Sequence, residues 1–360
     1  MHLPRRMLDL STALDNETVL DHPFMRPKIE YRSNAENAPM LLEAFPGLRR
    51  EDLPDGEGWA FELVQLTTHN GTHMDAPVHY QSKSIDGKPM MTIDQVPLDW
   101  FFRPGVKLDF RHLADGHVVT ADEVAAELDR IGHVLQPFDI VLVNTRAGSC
   151  IGTDEYLTAG CGMGREATLY LTSRGVRVAG IDAWGWDAPF VHMRKRWLET
   201  RDPSIIWEGH KAGREIPYCH MEKLCNLEQL PQSGFIVACF PFKVKHGSAG
   251  WTRAVALFDS FSIVVLAMRL TFVIARSASD EAIQSASAWI ASLHCVALVM
   301  TNRSRDAAER PSPFTAAFET VITDIAARRT AFFERLCGAP CRAAAGQCRW
   351  KHSQAPLRHG

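Results

Sequence analysis

The sequence has no CxxC pair among its nine cysteines, no surplus of basic residues, no internal repeat, and no uninterrupted apolar run of bilayer length. Each absence removes a class of protein. Nine is an odd number, and the scattered spacing suits reduced thiols packed in a cytoplasmic protein better than a disulfide framework. With 39 Lys and Arg against 42 Asp and Glu, the net charge of -3 gives no electrostatic reason to bind nucleic acid or an anionic membrane. The first residues, MHLPRRMLDLSTALD, lack the continuous apolar core and small-residue boundary of a signal peptide. The most apolar run, FSIVVLAMRLTFVIA (261–275), is broken by Arg269 and is too short to span a bilayer. What remains is an ordinary globular composition, 46% hydrophobic over 360 residues, enough to bury a sizeable core around small-molecule chemistry.

The strongest helix signal is TADEVAAELDRI (120–131), where Thr120 and Glu123 have the spacing of a capping box ahead of apolar residues at helical period. FDIVLVNTR (138–146) reads as a strand, EATLYLTSRG (166–175) as a helix closed by glycine, and VRVAGID (176–182) as a second strand. Strand, helix, strand implies a parallel crossover. FIVACFPF (235–242) and RAVALFD (253–259) add strands, so the body is α/β with a mixed sheet. Beyond it the composition shifts: from residue 276 there are ten Arg and one Lys, against nineteen and nine before, in an Ala- and Ser-rich background. The chain therefore divides into a body, 1–260, and an extension of different character, 261–360. Cys337, Cys341 and Cys348 in that extension lack the paired spacing of a metal cluster.

One stretch concentrates chemistry. HNGTHMDAPVH (69–79) holds three histidines and an aspartate, and Gly71 and Pro77 argue against a helix through it. In extended form, side chains two apart share a face, which predicts His69, His73, Asp75 and His79 on one side. A helix would pair His69 with His73 and turn Asp75 away. Imidazole and carboxylate suit Zn²⁺ or Mn²⁺, and a cluster without cysteine points to a catalytic rather than a closed structural site.

HNGTHMDAPVH resembles the HxGTHxDAPxH signature of the cyclase-like metal-dependent hydrolases, the family of bacterial kynurenine formamidase and isatin hydrolase. The resemblance runs from LDLST (8–12) through DIVLVNTRAG (139–148), GCGMGREATLYLTSRGVRVAGIDAWGWDAPF (160–190) and EGHKAGREIPYCHMEKLCNLEQLP (208–231) to FPFKVKHGSAGWTRAVALFD (240–259). It implies a mixed sheet with a β-barrel-like core and flanking helices, the swivelling β/β/α fold, assembled as a homodimer or homotetramer. It further implies that His69, His73 and Asp75 bind one divalent ion, and that Asp75 bridges to a second held by His210 and Glu222. His79 then handles protons. His220 is nearby and has two readings, a supporting or surface histidine or a part in the chemistry. Water activated by Zn or Mn would cleave an aryl formamide or cyclic amide, with Trp59, Trp184, Trp186, Phe190 and Trp251 as an aromatic wall for a flat substrate. Two departures bear on that substrate: the expanded segment YRSNAENAPMLLEAFPGLRREDLP (31–54), and the tryptophans of GIDAWGWDAPF.

The residues allow other readings. His73, Asp75 and His210 imitate the facial triad of a non-haem Fe(II) oxygenase, with Arg253 as an oxoacid clamp, although that class is built on an all-β fold and leaves His69 and Glu222 without a role. A decayed family member is a third reading, raised by the unusual extension. Every candidate ligand precedes residue 260, so a chain ending there is expected to remain soluble and active. A thermal melt beside a turnover assay checks this, and unfolding of the shortened chain while the full one is stable would move the boundary.

Overall fold

The computed structural model describes Pro4 and residues 6–258; the expectations placed on 261–360 lie outside the described residues. Chain order begins β1 (Arg6–Asp9), β2 (Lys28–Arg32), α1 (Asn34–Ala44), β3 (Phe61–Gln65), β4 (His73–Asp75) and α2 (Pro77–Tyr80). A crossover region follows: β5 (Phe102–Asp109), β6 (Val118–Val119), α3 (Ala121–Ile131), β7 (Ile140–Asn144), β8 (Gly162–Met163), α4 (Arg165–Ser173) and β9 (Val178–Ile181). The remainder is α5 (Phe190–Thr200), α6 (Glu208–Ala212), β10 (Cys219–Glu222), β11 (Phe235–Ala238), β12 (Ala249–Trp251) and β13 (Val255–Phe258).

Nine of these strands form one sheet in the order β1-β13-β11-β5-β7-β9-β10-β4-β12. It is curled into a half-barrel and flanked by helices, the mixed α/β architecture the sequence implies. β5, β7, β9 and β10 are successive parallel neighbours, and antiparallel strands complete both sides. Parallel neighbours need crossovers, and α3, α4, α5 and α6 lie in those connections. The capping box expected of TADEVAAELDRI is formed: Thr120 accepts from the Glu123 amide, the Glu123 side chain accepts from Thr120, and Gly132 ends α3 at φ 65°.

β7 is buried along its whole length, so its alternation sorts two cores rather than core from solvent. Val141 and Val143 pack with Val124 and Leu128 of α3 and Ala167 and Leu171 of α4. Ile140 and Leu142 face the opposite layer, with Leu10, Met74, Met221 and Val237. β10 and β4 obey the same alternation, and there it decides function. Met221 and Met74 point into the second layer, which leaves His220, Glu222, His73 and Asp75 together on the other face. Glu222 also ends its strand, at the carboxyl edge of the parallel set, where open α/β sheets present ligands.

The expanded segment 31–54 supplies the end of β2 and α1, capped by Ser33 and Glu36. β2 pairs only with β3, as a separate two-stranded ribbon. Among the described residues no helix is long and apolar enough to cross a membrane, and the five described cysteines are free.

Candidate metal centre

Two antiparallel strands build the centre. β10 pairs with β4 so that His220 lies opposite Asp75 and Glu222 opposite His73. Directly opposed residues carry their Cβ atoms about 5 Å apart, close enough for four short polar side chains to converge. The chain before β4 turns sharply at Gly71, φ 57°, where an added Cβ would lie 2.6 Å from Leu14 Cδ2. That turn brings His69 back over the strand.

The fully extended reading of 69–79 is therefore corrected. Only His73–Asp75 is a strand, and Pro77 opens the short helix α2. Proline suits a first helical position, since its fixed φ fits and its missing N–H leaves no bond unmade there. The four side chains still meet, but through a turn, a strand and a helical turn that brings His79 back toward Asp75.

Asp75 is the hub. Its Oδ1 lies 2.8 Å from His69 Nδ1 and 3.2 Å from His73 Nε2. Its Oδ2 lies 3.3 Å from His220 Nε2, 3.7 Å from His79 Nε2 and 4.0 Å from His210 Nε2. Glu222 Oε1 is 3.1 Å from His220 Nε2 and 3.6 Å from His210 Nε2, while Oε2 is 3.6 Å from His73 Nε2. Two donor sets result: an outer one of His69, His73 and Asp75, and an inner one of Asp75, His210, His220 and Glu222. His220 is thus part of the cluster and completely buried, which removes the surface reading.

The outer ends of the rings are fixed. His73 Nδ1 meets the Gly71 carbonyl at 2.9 Å, His210 Nδ1 the Asp187 carboxylate at 2.5 Å, and His220 Nδ1 the Tyr80 hydroxyl at 3.0 Å. A proton held on each Nδ1 leaves the Nε2 lone pair aimed inward, the arrangement metal-binding histidines use. His69 is reversed, with Nε2 3.1 Å from Ser248 Oγ and Nδ1 toward Asp75. Lys223 ties the His69 turn to the end of β10, donating to the His69 carbonyl and to Asp21 Oδ1, both at 2.6 Å. Asp21 also accepts from Asn70.

Both oxygens of Asp75 and Nε2 of His73 are buried with no hydrogen-bond partner, despite nitrogens close by. Buried polar atoms without partners are costly, and here they face one another across a gap. Two buried carboxylates, moreover, demand positive charge. Without an ion the histidines supply it: burial alone would lower His220, but the Asp75 and Glu222 carboxylates outweigh it and push His220 up to about 9. His69 is likewise raised, burial being overcome by Asp75. His79, where burial dominates, falls to about 4 and is neutral at pH 7. A divalent ion satisfies the orphaned donors and the charge together, so the residues fit one.

Beside the donors stands a row of rings. Trp207 stacks on His210 with centroids 4.6 Å apart, Phe190 stacks on Trp207, and Trp184 packs against Phe190 and His22. Trp184 and Phe190, two of the residues expected to form an aromatic wall, belong to this row. Trp186 does not: it is fully buried, stacked on His220, with Nε1 donating to Thr168 Oγ1. Its contribution is from the backbone, whose N–H donates to Glu222 Oε1 at 2.9 Å. Trp59 is 44% exposed, and its carbonyl accepts from Asn37 of α1; among the described residues its ring meets no ring of the site. Trp251 lies opposite His73 in β12, and its Nε1 donates to the Thr67 carbonyl. Trp207, Asp187, Tyr80, Lys223 and Asp21 were not singled out in the sequence. Asp187 and Lys223 lie in segments matched to the family, but nothing in the sequence marked either as a partner of a ligand.

A mixed α/β sheet with five histidines and two carboxylates gathered at its end fits a protein that holds a divalent metal. Residues 8–188, just over half of the chain, match the family model described as "Putative cyclase", and the chain belongs to this family. The match includes His69, His73, Asp75 and His79, while His210, His220 and Glu222 lie beyond it. The chain is 27% identical over 194 residues to the kynurenine formamidase of Erythrobacter litoralis, covering 53% of this chain and 74% of that one. It is 26% identical over 196 residues to the same enzyme of Salinibacter ruber, covering 53% and 77%. In fold it resembles isatin hydrolase A of Ralstonia solanacearum, with TM-score 0.55, 22% identity, and 71% and 92% of the two chains covered. Isatin hydrolase A of Labrenzia aggregata gives TM-score 0.53 at 22% identity, covering 71% and 94%.

The charge argument sets a pH dependence. In the metal-free fold His220 keeps its proton to about 9, against 6.5 when unfolded. Its contribution to stability is complete below pH 6.5 and is lost as pH rises through about 9. Metal-free protein is therefore expected to melt lower at pH 8.5 than at pH 6.5, and the Zn-loaded protein to show a smaller drop. Equal melting of the metal-free protein at both pH values would contradict the reading.

Proposed function

We propose that this protein is a metal-dependent hydrolase that cleaves an aryl formamide or a related cyclic aryl amide. The observation that carries the reading is the buried, unpartnered donor set around Asp75. A divalent ion held there, Zn or Mn, supplies Lewis acidity, lowering the pKa of water toward about 7 and polarising the carbonyl under attack. His69, His73 and Asp75 hold one such ion, and Asp75, His210 and Glu222 a second, with His220 beside them.

The remaining work falls to this chain's side chains. His79 is neutral, with its side chain 21% exposed and Nε2 3.7 Å from Asp75 Oδ2. It alone of the five histidines stands outside both donor sets while still reaching them, which suits a group that takes a proton as water attacks and returns it to the departing nitrogen. Trp207, Phe190 and Trp184 offer flat faces for an aromatic ring, with Phe190 41% exposed at the outer end. A small aromatic substrate, assembly as a homodimer or homotetramer, and a cytoplasmic setting without nucleic-acid or membrane partners belong to the same reading. The kynurenine formamidase and isatin hydrolase relatives support the aryl amide class.

The oxygenase reading loses its support here. Its clamp, Arg253, is an exposed residue paired with Asp9, and the sheet contains a parallel crossover region that an all-β fold lacks. A decayed site is disfavoured by the intact donor sets.

Purified protein loaded with Zn²⁺ or Mn²⁺ is expected to hydrolyse N-formyl aromatic amines or isatin-type lactams, and to lose that turnover on chelation. His79→Ala should lower kcat by about 10²- to 10⁴-fold while keeping the metal content of the unsubstituted protein. Turnover persisting in metal-free protein would overturn the hydrolase mechanism, and an unchanged kcat in His79→Ala would remove His79 from it.

A further inference from the structure

We propose that His220 is a fourth protein ligand that closes the inner site, so that the inner ion is held by protein alone and the reactive, exchangeable position belongs to the outer set of His69, His73 and Asp75. This rests on the metal-dependent reading above and divides the labour within it. Structural zinc sites take four protein ligands, whereas catalytic ones keep three and leave a position open.

The number of donors distinguishes the two sets. In the inner one, His220 Nε2 lies 3.1 Å from Glu222 Oε1 and 3.3 Å from Asp75 Oδ2, and His210 Nε2 lies 3.6 and 4.0 Å from the same two oxygens, so four protein donors converge there. In the outer one, His69 Nδ1 and His73 Nε2 lie 2.8 and 3.2 Å from Asp75 Oδ1, and the chain supplies three donors. An ion held by the outer three would keep a position for an exchangeable ligand.

The surroundings of His220 agree with a ligand rather than a proton carrier. Its ring lies between Tyr80, stacked nearly parallel with centroids 5.3 Å apart, and Trp186, 5.5 Å away. With Nδ1 engaged by the Tyr80 hydroxyl, Nε2 has one direction left, toward Asp75 and Glu222. A proton carrier must meet substrate, and His220 is fully buried, as are Asp75 and His73. His69, of the outer set, and His79, outside both sets, are the partly exposed members.

The test reads metal rather than turnover. X-ray absorption of the full-length His69→Ala protein, whose outer set keeps only one imidazole, is expected to show four light ligands at one equivalent of Zn²⁺, two of them imidazole. Titration of metal-free protein with Co²⁺ should give an intense four-coordinate spectrum at the first equivalent, insensitive to azide, and a weaker, azide-sensitive one at the second. His220→Phe keeps the stacking and removes both nitrogens. It should abolish the intense spectrum and weaken the first equivalent by tenfold or more, whereas His69→Ala should retain the first and lose the second. One imidazole at the first zinc, or unchanged first-site affinity in His220→Phe, would overturn the assignment. Should His220→Phe fail to fold, the absorption measurement on His69→Ala decides. Closed and open sites in a protein that cleaves no aryl amide would uphold this assignment and overturn the substrate reading instead.

Discussion

The register between β10 and β4 is the constraint on which the rest depends. Pairing His220 with Asp75 and Glu222 with His73 places four donors in a square on one face. A slip of one residue would turn every side chain to the other face, sending Met221 and Met74 into the cluster and the donors into an apolar layer. Both methionines are fully buried among Leu10, Leu142 and Val178, so hydrophobic packing on one side of the sheet enforces the geometry of the polar centre on the other. Neither strand could do this alone, since β4 is only three residues long. β12 holds its far edge, with Ala249 opposite Asp75 and Trp251 opposite His73.

A centre of this kind is costly to bury. Two carboxylates, Asp75 and Glu222, sit with oxygens within 4.8 Å of each other away from water, and such a pair persists only if something compensates its charge. The fold prepares that compensation with oriented histidines and fixes their orientation from outside through Asp187, Tyr80 and the Gly71 carbonyl. The buried Lys223–Asp21 pair belongs to the same economy, because it fastens the His69 turn to the residue next to Glu222. Support from elements distant in sequence makes the geometry a property of the whole sheet.

What the sequence disclosed follows from how locally each feature is determined. The α3 capping box and the alternation of strand, helix and strand through residues 140–181 depend on neighbours a few positions away, and they appear as read. The donors of the 69–79 stretch were legible as a group because their residue types are unusual, but their path was not: Pro77 opens a helix instead of continuing a strand. His210 and Glu222 were reachable only through the family resemblance. Trp186 shows the opposite failure, since a tryptophan near a site reads the same from the sequence whether it lines a cavity or fills a core. His220, Trp207 and Lys223 acquire their roles from contacts between β10, α2, α6 and the His69 turn, which no local pattern encodes.

The central claim is that Asp75 joins two metal sites held by this one register. Anomalous diffraction from crystals grown with Zn²⁺ or Mn²⁺ tests it most directly. The account requires two peaks about 3.5–4 Å apart, one against His69 and His73, the other against His210, His220 and Glu222, and both touching Asp75. A single peak, or ions that leave Asp75 without a metal contact, would contradict it.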